Sequence, residues 1–218
     1  MGAPSLELLV EITARTLAVC LPALAIALVI GLPIGIAVGR RRFVGRGALV
    51  GTINAGMGAP PVVVGLLVYL VLSNNGPFPR LDWLFSTWAM ILAQITIALP
   101  LIVGITLAAV GALDEDWELQ VRTLGVPSQW RLWLLLREIR LGLLAAVIAA
   151  LGGILSEVGA VLMVGGNIEG ETRVLTTAIL MHTQMGEFEI ALGLAAVLMG
   201  LMLVLAGLLT AIQQSGRS

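Results

Sequence analysis

The sequence predicts an all-α integral membrane protein with about five transmembrane helices. Three observations carry that prediction: a scarcity of charge, a series of long charge-free runs, and an uneven division of arginine along the chain. Of the 218 residues, 59% are hydrophobic and 11% charged, whereas an ordinary soluble domain carries roughly a quarter charged residues. A bilayer core about 30 Å thick needs roughly 20 apolar residues per helical crossing. Four charge-free runs meet that length, at 17–39, 47–79, 83–113 and 190–216, and a fifth at 141–168 is broken only by Glu157.

Within those runs the spans are predicted at about 17–39, 57–76, 86–111, 142–165 and 190–212, in a single transmembrane domain covering 1–218. The first run is long enough to remain as a span and follows Glu7 and Glu11, whereas a secretory signal has a basic start and a short apolar core. Gly31, Gly35 and Gly39 recur every four residues and leave one helix face bare for close packing, while Pro33 offers the alternative of a hinge. Cys20 lies in this span with no second cysteine to pair with, so it reads as a small apolar packer. In the second run, Gly56, Gly58, Ala59, Pro60 and Pro61 suit the start of a helix better than its middle. Pro100 marks a kink in the third span.

All 12 Lys+Arg residues are arginines, and the five spans divide them unevenly. Arg40, Arg41, Arg42, Arg46, Arg122, Arg131, Arg137, Arg140 and Arg217 fall on one side; Arg15, Arg80 and Arg173 fall on the other. The positive-inside rule puts the first group in the cytoplasm, with the N-terminus outside and the C-terminus inside. The charged segment 112–140 is then a cytoplasmic loop of two short helices. Asp114, Glu115, Asp116 and Glu118 favour the first helix's N-terminus. Gly125 suits a left-handed helix stop, and Pro127 and Ser128 supply a first-turn proline and a cap for the next helix. Trp130 and Trp133 read as interfacial anchors.

Glu157 is the one acid inside a predicted span, and an intramembrane charge normally faces a cavity or a partner. It reads either as a functional carboxylate or as a hydrogen-bonded group that pins its helix to neighbouring backbone and hydroxyls. Beyond it, Gly165, Gly166, Asn167 and the stretch Glu169 to Arg173 form a flexible outer loop. The apolar segment 174–186, interrupted by His182, is too short to cross alone and reads as interfacial or re-entrant within the outer region 166–189.

The loop around Gly125 resembles the coupling loop of ABC-transporter permeases, whose pattern is Glu-Ala-Ala, three residues, Gly, nine residues, Ile-x-Leu-Pro. Gly125 matches the central glycine. Leu119, Gln120 and Val121 stand where that pattern has Glu-Ala-Ala, and Leu135, Arg137 and Glu138 where it has Ile, Leu and Pro. Ser156-Glu157-Val158-Gly159-Ala160, then Gly165 to Ile168 and Thr172 to Ile179, with Gly58 to Gly65 upstream, resemble the tungstate branch of the molybdate, tungstate and sulfate permeases. The resemblance implies a homodimer in a prokaryotic cytoplasmic membrane, with the pathway between two copies. It also implies two cytoplasmic ATPase subunits carrying ATP and Mg, and an extracytoplasmic solute-binding protein that delivers the oxyanion. It assigns Glu118, Gly125, Val126, Pro127 and Ser128 to ATPase coupling. It makes Glu157, Asn167, Thr172, Arg173, Thr176 and Thr177 candidates for the pathway or its gate.

The residues fit that division of labour. The chain has no lysine, so it lacks the Gly-Lys-Ser/Thr of the usual phosphate loop, and no cofactor is expected in it. No span holds an arginine that would grip an oxyanion tightly. No nucleic-acid partner is expected. Two other functions compete. A proton-coupled transporter or channel would use Glu157 but leaves the 112–140 elbow without a purpose and shows no inverted repeat. An intramembrane enzyme would have to work with His182 and Cys20 as its sole His and Cys, without a metal-ligand cluster.

Overall fold

The computed structural model describes residues 5–114 and 116–215, so Glu115 and Arg217 lie outside the described residues. Its helices are α1 (Leu6–Arg40), α2 (Arg46–Met57), α3 (Pro61–Leu72), α4 (Thr87–Gly111), α5 (Trp117–Thr123), α6 (Ser128–Glu138), α7 (Arg140–Leu155), α8 (Gly159–Gly165), α9 (Leu175–Gln184) and α10 (Phe188–Ser215), with a 3-10 turn at Pro79–Leu81. No strand occurs among the described residues. Helices are the economical answer to this composition, because a helix satisfies its own backbone groups where no water is available.

Three helices, α1, α4 and α10, are long and apolar enough to cross a membrane. Two bent pairs, α2 with α3 at 103° and α6 with α7 at 61°, raise the number to five if each pair is one span. α1 continues through Pro22 and Pro33 without interruption, and α4 continues through Pro100. Pro61 is the first residue of α3 and Pro60 its cap, a position where the missing N–H leaves no bond unmade.

The α1–α4 seam sets the frame. A Cβ built on Gly31, Gly35 or Gly39 would come within 2.8, 2.7 and 2.8 Å of Ile102, Thr106 and Val110 respectively. Both helices advance by four residues per contact in the same direction, so they run parallel. α7 runs against them: Gly142 meets Ala109, and Gly153 meets Leu101. α10 returns alongside α1, with Leu194 clustered with Ile12 near the start of both helices. One cluster joins α1, α3, α4 and α8 through Val19, Ala23, Val64, Val68, Met90 and Val161. Large side chains of α10, including Leu192, Met199, Leu203 and Leu208, face outward. In water that face would be a liability, and in hydrocarbon it is an ordinary surface.

Candidate functional site

Two helix breaks face each other where α3 packs on α8. The first is Gly58–Pro60, between α2 and α3. The second is Ser156–Val158, between α7 and α8, so the apolar run that reads as one continuous span around Glu157 is divided in two. Between them lies a cavity of about 220 Å³, lined by Gly56, Met57, Ala59 and Pro61 from one break and by Ser156 and Glu157 from the other. The walls are held close by small residues. A Cβ on Gly65 of α3 would fall 2.6 Å from the Ala160 Cα of α8, and one on Gly159 would fall 2.7 Å from Val62.

A break inside hydrocarbon leaves backbone groups that need partners, and polar side chains supply them here. Glu157, 8% exposed, accepts a 2.8 Å hydrogen bond through Oε1 from the Ala160 N–H in the first turn of α8. Its own carbonyl accepts a 2.8 Å bond from the Thr176 hydroxyl of α9. The Ile154 carbonyl accepts a 3.1 Å bond from Gln94 Nε2 of α4, and the Cys20 thiol lies 4.0 Å from the same oxygen. Glu157 therefore lines the cavity and bonds the first turn of the helix that restarts beyond the break.

The remaining candidates beyond Glu157 hold the loop between α8 and α9. Thr172 donates to the Gly165 carbonyl and accepts from Ile168 N–H at 2.9 Å. The Ile168 carbonyl accepts from the N–H groups of Glu171, Thr172 and Arg173. Asn167 sits at φ +53, with its amide 3.5 Å from the Met181 sulfur. Arg173 pairs with Glu169 at 3.3 Å. The glycines suggest a flexible loop in the sequence; the structure instead closes it, because Thr172 and the Ile168 carbonyl take up the backbone groups the turn frees. Thr177 is buried and caps α9, accepting from Val174 N–H at 3.1 Å. Thr16 of α1 accepts from Leu175 N–H at 2.9 Å and ties α9 to the bundle.

The coupling-loop candidates assemble elsewhere, at the common end of α1 and α4. Gly125, at φ +70, closes α5 in a Schellman turn: its N–H bonds the Arg122 carbonyl at 3.0 Å, and Val126 N–H bonds the Val121 carbonyl at 3.4 Å. Pro127 caps α6 and Ser128 begins it, reversing the order of roles expected for those two residues. Arg131 Nε donates to the Val126 carbonyl at 2.9 Å. Buried Leu135 and Ile139 seat this elbow on Val110. Glu118 Oε1 receives both Arg122 and Arg40, the latter at 3.1 Å from the last turn of α1. The hydrogen bond from Arg122, then that from Arg40, lowers the Glu118 carboxyl below its ordinary range. Leu119, Leu124, Trp130, Leu132 and Trp133 stay exposed on the elbow.

Two residues in this framework are absent from the sequence-based candidates, Gln94 and Thr16. Gln94 lies in a run marked by its lack of charge, and Thr16 directly precedes another, where a single amide or hydroxyl is easily passed over. For Gln94 the signal is an amide of high desolvation cost well inside an apolar span.

A bundle of membrane-length helices, interrupted twice around a shared cavity and joined to a surface elbow, is a multi-pass membrane fold. The chain belongs to the family of binding-protein-dependent transport system inner membrane components, which matches residues 31–217, and is an ABC-transporter permease in a multi-pass inner-membrane form. It is 43% identical to a probable anion ABC transporter permease of Haloferax volcanii, over 91% of this chain and 88% of that one. It is 38% identical to the tungstate uptake permease TupB of Peptoclostridium acidaminophilum, over 66% of this chain and 63% of that relative's length. An inward-facing structure of the MetNI methionine transporter shares the fold, with a TM-score of 0.64 at 19% identity, covering 100% of this chain and 96% of the other.

Proposed function

We propose that this permease carries an oxyanion into the cytoplasm, tungstate first and then molybdate or sulfate, as one half of a homodimer driven by two ATPase subunits. The observation that carries the reading is the 43% identity to an anion permease across nearly the whole chain, joined by the tungstate relative at 38%. The cavity chemistry is compatible with it. A path lined by Gly56, Met57, Ala59, Pro61, Ser156 and Glu157 offers no arginine to trap an anion, so selectivity is left to an extracytoplasmic binding protein and release is fast.

In this reading the arginine-rich end of α1 and the elbow lie in the cytoplasm, the N-terminus lies outside and the C-terminus inside. The exposed Leu119, Leu124, Trp130 and Trp133 form the seat for an ATPase subunit, which brings ATP and Mg, and Glu118 and Gly125 to Ser128 shape that seat. The exposed apolar face of α3, with Val62, Val63, Leu66, Leu67 and Leu70, meets the second copy. Asn167, Thr172, Arg173, Thr176 and Thr177 position the outer gate above Glu157.

The test is tungstate uptake into proteoliposomes that hold the permease and its ATPase, with binding protein outside and ATP inside. Uptake that requires both supports the proposal. Uptake that follows an imposed pH gradient and ignores ATP overturns it.

A further inference from the structure

We propose that Gln94 is a positioning residue of the transport cycle, holding the break between α7 and α8 through the Ile154 carbonyl; this rests on the transport reading above. In an unbroken helix that carbonyl would accept from Val158 N–H, four residues on. Here α7 stops at Leu155, and the nearest backbone donor, Glu157 N–H, reaches the oxygen at 3.4 Å. Gln94 Nε2 supplies the closer bond at 3.1 Å, from a helix 60 residues earlier in the chain. A carbonyl acceptor admits only the N–H side of the amide, so the chemistry fixes its orientation.

The placement of Gln94 argues against a filler role. The side chain is 2% exposed, between Ala93 and Ile95 in an apolar span, where a buried amide is unfavourable unless its bonds are made. Its Oε1 has no hydrogen-bond partner. A leucine or methionine would fill the space without that penalty, and what the glutamine adds is a donor aimed at the freed carbonyl. On the other flank of the break, Thr176 holds the Glu157 carbonyl at 2.8 Å. The segment that forms one wall of the cavity is therefore clamped from α4 on one side and from α9 on the other. Both clamps come from helices other than α7 and α8, so each bond can be removed by one substitution that leaves the apolar packing of α7 and α8 in place.

Hydrogen exchange of residues 154–160 in the permease homodimer, and tungstate taken up per ATP hydrolysed in the full complex, test the inference. Gln94→Met keeps the bulk and removes the donor. Gln94→Glu keeps the length, and its neutral carboxylic acid carries one O–H donor for the same carbonyl. The expected result for Gln94→Met is exchange about fivefold faster in that segment alone, and about fivefold less anion moved per ATP. Gln94→Glu should restore most of both. If Gln94→Met does not yield a folded dimer, Gln94→Asn, one methylene too short to reach, should show the same pair of changes. Unchanged exchange and an unchanged transport-to-ATP ratio in Gln94→Met or Gln94→Asn, or equal impairment in Gln94→Met and Gln94→Glu, would overturn the inference. The exchange measurement needs no cargo, so failure of wild-type tungstate uptake would refute the substrate assignment and leave the test of Gln94 standing.

Discussion

At the elbow, α5 ends on its own backbone: Gly125 turns left-handed at φ +70, and its N–H and that of Val126 close the helix. At the central break, α7 closes its last turn locally through Ser156, but the Ile154 carbonyl and the Glu157 carbonyl just beyond the helix also take donors from Gln94 of α4 and Thr176 of α9. One stop is local and faces outward. The other draws on two further helices, with Gln94, Ile154, Glu157 and Thr176 buried. The difference predicts that damage at the elbow should interrupt communication and leave the bundle standing, whereas damage at the break should affect the bundle itself.

The sharpest way to break the comparison is at Gly65. A Cβ there would fall 2.6 Å from the backbone Cα of Ala160, an atom that cannot swing aside as a side-chain tip could. Gly65→Val should therefore push α3 off α8 and lower stability by about 3 kcal/mol, at the upper end of overpacking effects. The check is the thermal midpoint of the purified permease in detergent. A variant as stable as wild type would mean that the two breaks are not packed as described.

Next in size is Thr176→Val, which preserves shape and removes the hydroxyl that holds the Glu157 carbonyl. A buried acceptor left unpaired should destabilise the permease by about 1 to 2 kcal/mol. Thr210 makes a 2.8 Å bond to its own helix at the Ala206 carbonyl, on the exposed side of α10. Thr210→Val should change stability by under about 0.5 kcal/mol. Equal effects at the two threonines would erase the distinction between a clamp and a surface hydroxyl.

The two regions also differ in how far the sequence reveals them. The elbow is legible because its signals are neighbours: Gly125 stops one helix, and Pro127 opens the next within two residues. The spans are legible because charge-free runs are properties of contiguous sequence. The break at Ser156 to Val158 is not, since the glycine pair Gly152-Gly153 lies within α7 and no proline or glycine stands in the break itself, while its stabilising partners lie 60 and 19 residues away. Glu157 was visible as a misplaced charge, but its bond to Ala160 N–H follows only from the helix restarting at Gly159. The loop at 166–174 misled for a related reason. Its glycines read as flexibility, while the cross-loop bonds of Thr172 that close it depend on the fold.

At the elbow, Gly125→Val should act locally. A Cβ on Gly125 meets nothing within 4 Å, so the substitution is strained solely by φ +70. That strain is roughly 1 to 2 kcal/mol for an L-residue, and it falls on a turn that the bundle does not need for its own packing. The variant should insert and keep a thermal midpoint near wild type while losing most of its stimulation of the partner ATPase. Full stimulation by purified Gly125→Val would detach the elbow from coupling.

The smallest effect belongs to Glu118, which ties the elbow to α1 through Arg40. Both side chains are about a third exposed, at 31% for Arg40 and 37% for Glu118, and pairs of that kind contribute at most about 1 kcal/mol. Its direction with pH is nevertheless fixed. The Arg122 and Arg40 hydrogen bonds lower the carboxyl's folded pKa, so the tie is fully present above the ordinary glutamate value of about 4.3. It is lost as pH falls through the lower folded value. Hydrogen exchange of residues 117–123 should therefore stay flat from pH 7 to about 5, after correction for intrinsic rates, and rise below about pH 4. Glu118→Gln, which cannot titrate, should show no such acid-dependent rise. The same rise in Glu118→Gln would transfer the effect to the neighbouring acids Asp114 and Asp116 and remove Glu118 as the link between elbow and bundle.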